Sequence, residues 1–144
     1  MKKILTLMLF SFVSISFSQN WNYNFDQAKE LATKENKNII MIFSGSDWCA
    51  PCIRLDKNIW QSEEFKKVAD EKWVLVKLNF PRKKANQLSE EQTGHNRALA
   101  EKYNKEGSFP LVIVLQPDGK VLGKLGFKNV SPSEYIEMIE TVIK

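Results

Sequence analysis

Three short runs of uninterrupted apolar residues govern what this chain can fold into. They are Ile39-Ile40-Met41-Ile42-Phe43, Trp73-Val74-Leu75-Val76 with Leu78 close behind, and Leu111-Val112-Ile113-Val114-Leu115. A strand with one wet face alternates apolar and polar residues, whereas a strand buried on both faces does not. Strands of the second kind need helices on each side of their sheet, and the intervening segments supply them. Asn24, with Gln27 three residues on, predicts a helix N-cap, and Phe25, Ala28, Leu31 and Ala32 follow on one stripe. Ala50 to about Lys57 reads as a second helix. Ser62 caps a third, with Phe65, Val68 and Ala69 inward. A fourth ends near Tyr103 with Ala98, Leu99 and Tyr103 on its apolar face, and Gly94 obscures its start. Pro117-Asp118-Gly119 has hairpin-turn chemistry and leads into a fourth strand over Lys120–Phe127. Ser131-Pro132-Ser133-Glu134 is a capping box with proline at the first helical position. Tyr135, Ile136, Ile139, Val142 and Ile143 line the helix that follows. The predicted class is α/β: a central mixed β-sheet, parallel in its βαβ first half and antiparallel in its closing hairpin, flanked by helices on both faces.

A chain of 144 residues, 43% of them hydrophobic, has the length and composition of one ordinary domain with a core of its own. Residues 1–18 stand apart from that domain. Lys2 and Lys3 precede an uncharged apolar stretch from Ile4 to Phe17, and Ser16-Phe17-Ser18 carries small residues where signal peptidase reads. The division expected is a signal peptide over 1–18 and a folded domain over 19–144, with the mature chain periplasmic or extracellular. A membrane anchor is the competing reading; the stretch is shorter than the ~20 residues that span a bilayer, and serines interrupt it. No cysteine follows the expected cut, so lipid attachment is not indicated. Removing the leader takes two lysines and no acids from a formal charge of +4, leaving +2. That balance gives no argument for nucleic acid or for a membrane surface, and no stable membrane insertion of the mature chain is expected.

Both cysteines of the chain lie in Trp48-Cys49-Ala50-Pro51-Cys52, between the first apolar run and the second helix. A disulfide closing so short a loop adds little to stability. A zinc site would need a second pair of ligands, which the sequence does not offer, His95 being the only histidine and remote in sequence. Redox use of the pair is the reading left in front, with no metal and no cofactor. The first sulfur sits at a helix N-terminus, where free backbone N–H groups and the helix dipole favour a thiolate. That thiolate is the attacking species in disulfide exchange. The second sulfur lies one turn further in, within reach of the first, and Pro51 restricts the backbone between them.

The chain resembles the thioredoxin family, in its exported thiol–disulfide interchange branch. Asp47-Trp48-Cys49-Ala50-Pro51-Cys52 is similar to that family's active-site motif, and Lys77-Leu78-Asn79 to the end of its central strand. Leu99 to Tyr103 followed by Gly107-Ser108-Phe109-Pro110 is similar to its helix and the loop before its cis-proline. Leu111–Leu115 with Asp118-Gly119-Lys120-Val121 is similar to its closing hairpin. The likeness runs from about Phe25 to Lys144 and implies the thioredoxin fold. It also implies that Cys49 is the nucleophile, Cys52 the resolving thiol, Trp48 a shield over the sulfurs and Pro110 a cis residue beside them. Phe109 would then offer an apolar contact to a peptide substrate, while Ala50, Pro51, Asp47 and Lys77 would support the site. Implied partners are disulfide- or thiol-bearing exported proteins and a membrane thiol donor.

Two features depart from the family pattern. The buried acid usual six residues before the first cysteine is here Phe43. Cys52 would then lose its proton to water, to Asp47 or to the leaving thiolate of the substrate. Lys77, which matches that acid's partner, would either reach solvent or lend positive potential to Cys49. The stretch from Pro81 to Asn96, with Arg82, Lys83, Lys84 and His95, is longer than the family's connection; it is either a docking loop or a solvated connector. The function expected is a thiol–disulfide oxidoreductase for exported proteins, acting as reductant or thiol relay. The alternative is a non-catalytic binding module with a structural disulfide.

Overall fold

The structure, a computed structural model, describes residues 19–144; the expected leader lies outside the described residues. Five strands form one sheet in the order β1-β3-β2-β4-β5. They are β1 (Trp21–Asn22), β2 (Asn38–Ser44), β3 (Trp73–Asn79), β4 (Leu111–Leu115) and β5 (Val121–Leu125). β3 runs parallel to β1 and β2, β4 antiparallel to β2, and β5 antiparallel to β4. Helices α1 (Phe25–Glu35), α2 (Ala50–Leu55), α3 (Glu63–Lys72), α4 (Glu90–Tyr103) and α5 (Pro132–Ile143) connect and cover them.

Strand parity divides the core in two. From β2, Ile39, Met41 and Phe43 join Val74, Val76 and Leu78 of β3 against Phe25, Ala28 and Ala32 of α1 and Tyr103 of α4. Ile40 and Ile42 join Leu75, Val112 and Val114 on the other face, against Leu55, Phe65, Ala69, Tyr135 and Ile139. The three apolar runs are thus buried on both faces. The N-termini of α1, α3 and α5 are fixed by side-chain caps: Asn24 Oδ1 accepts from Gln27 N–H, Ser62 Oγ from Phe65 N–H, and Ser131 with Glu134 forms the full capping box.

Four details differ from the sequence expectations. Strand β1 was not foreseen, because two residues carry no periodicity. The second helix does not stop near Lys57 but widens into a π-helical turn over Asp56–Trp60, with Gln61 N–H donating to Asp56 C=O. That turn brings Trp60 into an aromatic group with Trp21, Phe65 and Tyr135, at ring centroid distances of 6.4, 4.6 and 5.3 Å. Strand β5 ends at Leu125 rather than Phe127. Beyond it the Tyr135 hydroxyl donates to Gly126 C=O at 2.8 Å, so that carbonyl turns to α5 instead of continuing the ladder. Finally, the long connection is shorter than its sequence suggests. A single turn at Lys84–Asn86 precedes α4, which opens at Glu90 behind a Ser89 cap and so absorbs residues 90–96.

Candidate active site

Strand β2 ends at Ser44, and the turn at Gly45–Trp48 delivers Cys49 to the N-cap of α2. Cys49 N–H donates back to Gly45 C=O at 3.0 Å, and Cys49 C=O accepts from Ile53 N–H at 3.0 Å. Its Sγ accepts from Cys52 N–H at 3.3 Å, satisfying one of the free amides of the first helical turn. Ala50 and Pro51 occupy that turn, where proline removes no needed donor. Cys49 and Cys52 are joined by a disulfide with their Cα atoms 5.2 Å apart. In the disulfide form Cys49 is 4% exposed and Cys52 2%, so burial does not separate them; their neighbours do.

On the Cys49 side stands an aromatic wall. The Trp48 indole N–H donates to Phe80 C=O at 2.7 Å. Its ring meets Phe109 edge-on at a centroid distance of 5.3 Å, and Phe109 meets Phe80 at the same distance. The Arg82 guanidinium covers the indole at 3.6 Å. Gly45 lies directly beneath, with no room for a side chain. The Phe109–Pro110 bond is cis, as the resemblance implied, and the buried Pro110 leads into β4.

The Asp47 carboxylate is engaged by the connection that follows β3. One carboxylate oxygen accepts from Arg82 N–H at 2.9 Å, the other from Lys83 N–H at 3.0 Å and Asn86 Nδ2 at 2.9 Å. These bonds, led by that from Arg82, hold its carboxyl below the usual carboxylate range. Asp47 is therefore a clamp that fastens the basic connection to the active-site turn. The His95 ring is engaged at the start of α1 and on its own helix. Its Nε2 accepts from Phe25 N–H at 3.1 Å at the start of α1, and its Nδ1 lies 3.0 Å from Asn96 Oδ1.

Lys77 has a carboxylate partner that the sequence did not reveal. Strand parity aims it at α2, where its Nζ pairs with Asp56 Oδ1 at 2.9 Å and lies over the Trp21 ring. Phe43 points to the opposite face and stacks on Phe80. Asp56, Phe80 and Gly45 were not singled out as site residues from the sequence, and Arg82 was noted only as part of the basic connection. A signal existed for Asp56 alone: it follows Cys52 by four residues, the spacing that puts two side chains on one helix face.

A disulfide of two closely spaced cysteines at the mouth of a helix, on a mixed sheet with an adjacent cis-proline loop, defines a thiol–disulfide oxidoreductase of thioredoxin fold. The thioredoxin-like family matches residues 20–117, and the chain belongs to that family. It is 33% identical over 121 residues to the disulfide bond reductase DsbH of Chlamydia pneumoniae, spanning 84% of this chain and 71% of that protein. The solved structure of a DsbH oxidoreductase superposes with a TM-score of 0.82 at 29% identity, over 98% of this chain and 94% of the other. The oxidised C-terminal domain of DsbD from Neisseria meningitidis gives 0.53 at 26% identity, over 81% and 88%. A binding module with a purely structural disulfide is not favoured beside these relatives.

Proposed function

We propose that the chain is exported under a signal peptide at residues 1–18 and acts as a reductant or thiol relay for disulfides of exported proteins. Cys49 is the nucleophile: its sulfur holds the N-cap position and takes the Cys52 amide hydrogen bond that would steady a thiolate. Cys52 is the resolving thiol. Trp48, Phe109 and Pro110 form the platform on which an extended substrate segment lies as an added strand. The observation that carries the direction is the segment between the cysteines. Ala50 and Pro51 add neither charge nor a side-chain hydrogen bond, so the reduced state gains only the helix-terminus interaction. Strong oxidants owe their potential to heavy stabilisation of that state. DsbH, by name a disulfide bond reductase, supports the same direction.

In an oxidising compartment a reductant must be recharged, so a membrane-embedded thiol donor is the implied partner. Among the described residues no helix is long and apolar enough to cross a membrane. Equilibration of the chain with glutathione buffers tests the direction. A potential near the thioredoxin value of about −270 mV is expected, and one near about −120 mV, that of the strongest periplasmic oxidant, would overturn it.

A further inference from the structure

We propose that Asp56, held by Lys77, receives the proton of Cys52 when Cys52 resolves a mixed disulfide. This rests on the assignment of Cys52 as the resolving thiol. Cys52 is 2% exposed, and a buried thiol needs a nearby base before it can attack. What it faces is a cavity of about 170 Å³ lined by Ser44, Ser46, Cys52, Ile53, Asp56, Lys57 and Lys77. That volume has room for several waters at about 30 Å³ each. Asp56 is the one carboxylate on it, and Cys49 does not line it.

The fold fixes this arrangement from two sides. Asp56 lies one turn beyond Cys52, its N–H donating to Cys52 C=O, where α2 passes into the π-helical turn. Across the cavity, Lys77 of β3 pairs with Asp56 Oδ1 at 2.9 Å, while Gln61 Nε2 reaches Oδ2 at 3.4 Å. The charged groups facing the thiol are therefore Asp56, Lys77 and Lys57. Lys77 is engaged with the carboxylate, and Lys57 is exposed. Asp56 acts through the cavity water, so it is a positioning residue for proton transfer rather than a group in contact with the reacting sulfurs.

The step balances. In the mixed disulfide Cys49 Sγ is bonded to a substrate sulfur. The Cys52 Sγ proton passes through water to the Asp56 carboxylate, and the electron pair left on Cys52 Sγ forms the Cys49–Cys52 bond. The bond between Cys49 and the substrate sulfur breaks, and its pair departs on that sulfur as a thiolate. The substrate disulfide has then been reduced by two electrons and the protein dithiol oxidised. Asp56 returns its proton to solvent or to the leaving thiolate.

Reaction of the reduced mature chain with one equivalent of 5,5′-dithiobis(2-nitrobenzoate) reads the two steps apart. The first coloured thiolate reports attack by Cys49, the second attack by Cys52. Asp56→Asn is expected to slow the second release about a hundredfold at pH 6, the lower end of the range for general-base assistance, and to leave the first within about twofold. The deficit should fade as pH passes the ordinary thiol value of about 8.5, and Asp56→Glu should recover most of the rate. An unchanged second release at pH 6, a deficit that does not vary with pH, or equal slowing of both releases would overturn the proposal. Should Asp56→Asn unfold, the unsubstituted chain still decides. Retention of the second release toward pH 6 supports the proposal, and a profile following a free thiol at about 8.5 overturns it. Failure of the underlying assignment is distinguishable: Cys49→Ser would release one thiolate and Cys52→Ser none.

Discussion

Trp48 is held by Phe80, Phe109 and Arg82, and one glycine makes room for it. A Cβ on Gly45 would overlap the indole carbons, while the indole N–H is fixed on Phe80 C=O. Gly45→Ala is therefore expected to push the ring off Phe80 and Phe109, at an overpacking cost of about 1–3 kcal/mol. The Trp48 indole N–H resonance would shift, and insulin reduction would slow. Asp47 makes a second prediction, with its sign set by the lowered carboxyl. A depressed folded value means that the clamp on Arg82 and Lys83 is complete above the ordinary value of 3.8 and is lost only as pH falls through the lower one. The Arg82 and Lys83 amide resonances should stay constant down to about pH 4 and move below it. A midpoint above 3.8 would contradict the clamp, and Asp47→Asn should abolish the titration. At this scale the cysteines and the motif around them were legible because their chemistry depends on spacing along one helical turn. Lys77 was not, because its partner came from another element, and a lysine in a strand does not announce which helix it faces.

Helix α4 ties the rear of the site to the rest of the fold through one buried amide. Asn96, 2% exposed, accepts from Gln92 Nε2 at 2.9 Å and donates to Asn79 C=O at 3.0 Å, while Asn79 Oδ1 accepts from Ser46 N–H in the active-site turn. Asn96→Ala would strand the Asn79 carbonyl and is expected to cost about 1–3 kcal/mol, read as a lower denaturant midpoint with an unchanged slope. The sequence obscured this helix in a telling way. Gly94 weakens the apparent start, yet Ser89-Glu90-Glu91-Gln92 has the form of a cap, and Ser89 Oγ does accept from Gln92 N–H. Nothing lies near the missing side chain of Gly94, so the glycine costs the helix only its propensity, about 1 kcal/mol, and leaves no packing gap. The apolar strands were legible because burial on both faces leaves no polar residue to confuse the pattern. The π-helical turn was not, since it keeps helical composition and changes only which residues face inward.

Across the whole molecule, the parallel pair β2–β3 and the antiparallel β4 converge on one end of the sheet, where α2 and the loop ending at Pro110 meet. One lateral edge of the sheet carries β1, with residue 19 just before it. Gln19 is already engaged there: Trp21 N–H donates to its carbonyl at 3.2 Å and the Trp21 indole to its Oε1 at 3.0 Å. Trp21 in turn meets Trp60 and lies under Lys77, the residue that holds Asp56. A cut before Gln19 therefore leaves the edge strand, its pairing with β3 and the support behind Lys77 intact. A cut a few residues later would remove the Trp21 ring from the Lys77 side and one strand from the sheet. Intact-mass analysis of the protein from its native host is expected to give a chain beginning at Gln19. A mass that retains residues 1–18 would contradict the signal peptide. One that begins beyond Trp21 would contradict the role of β1 as part of the working domain.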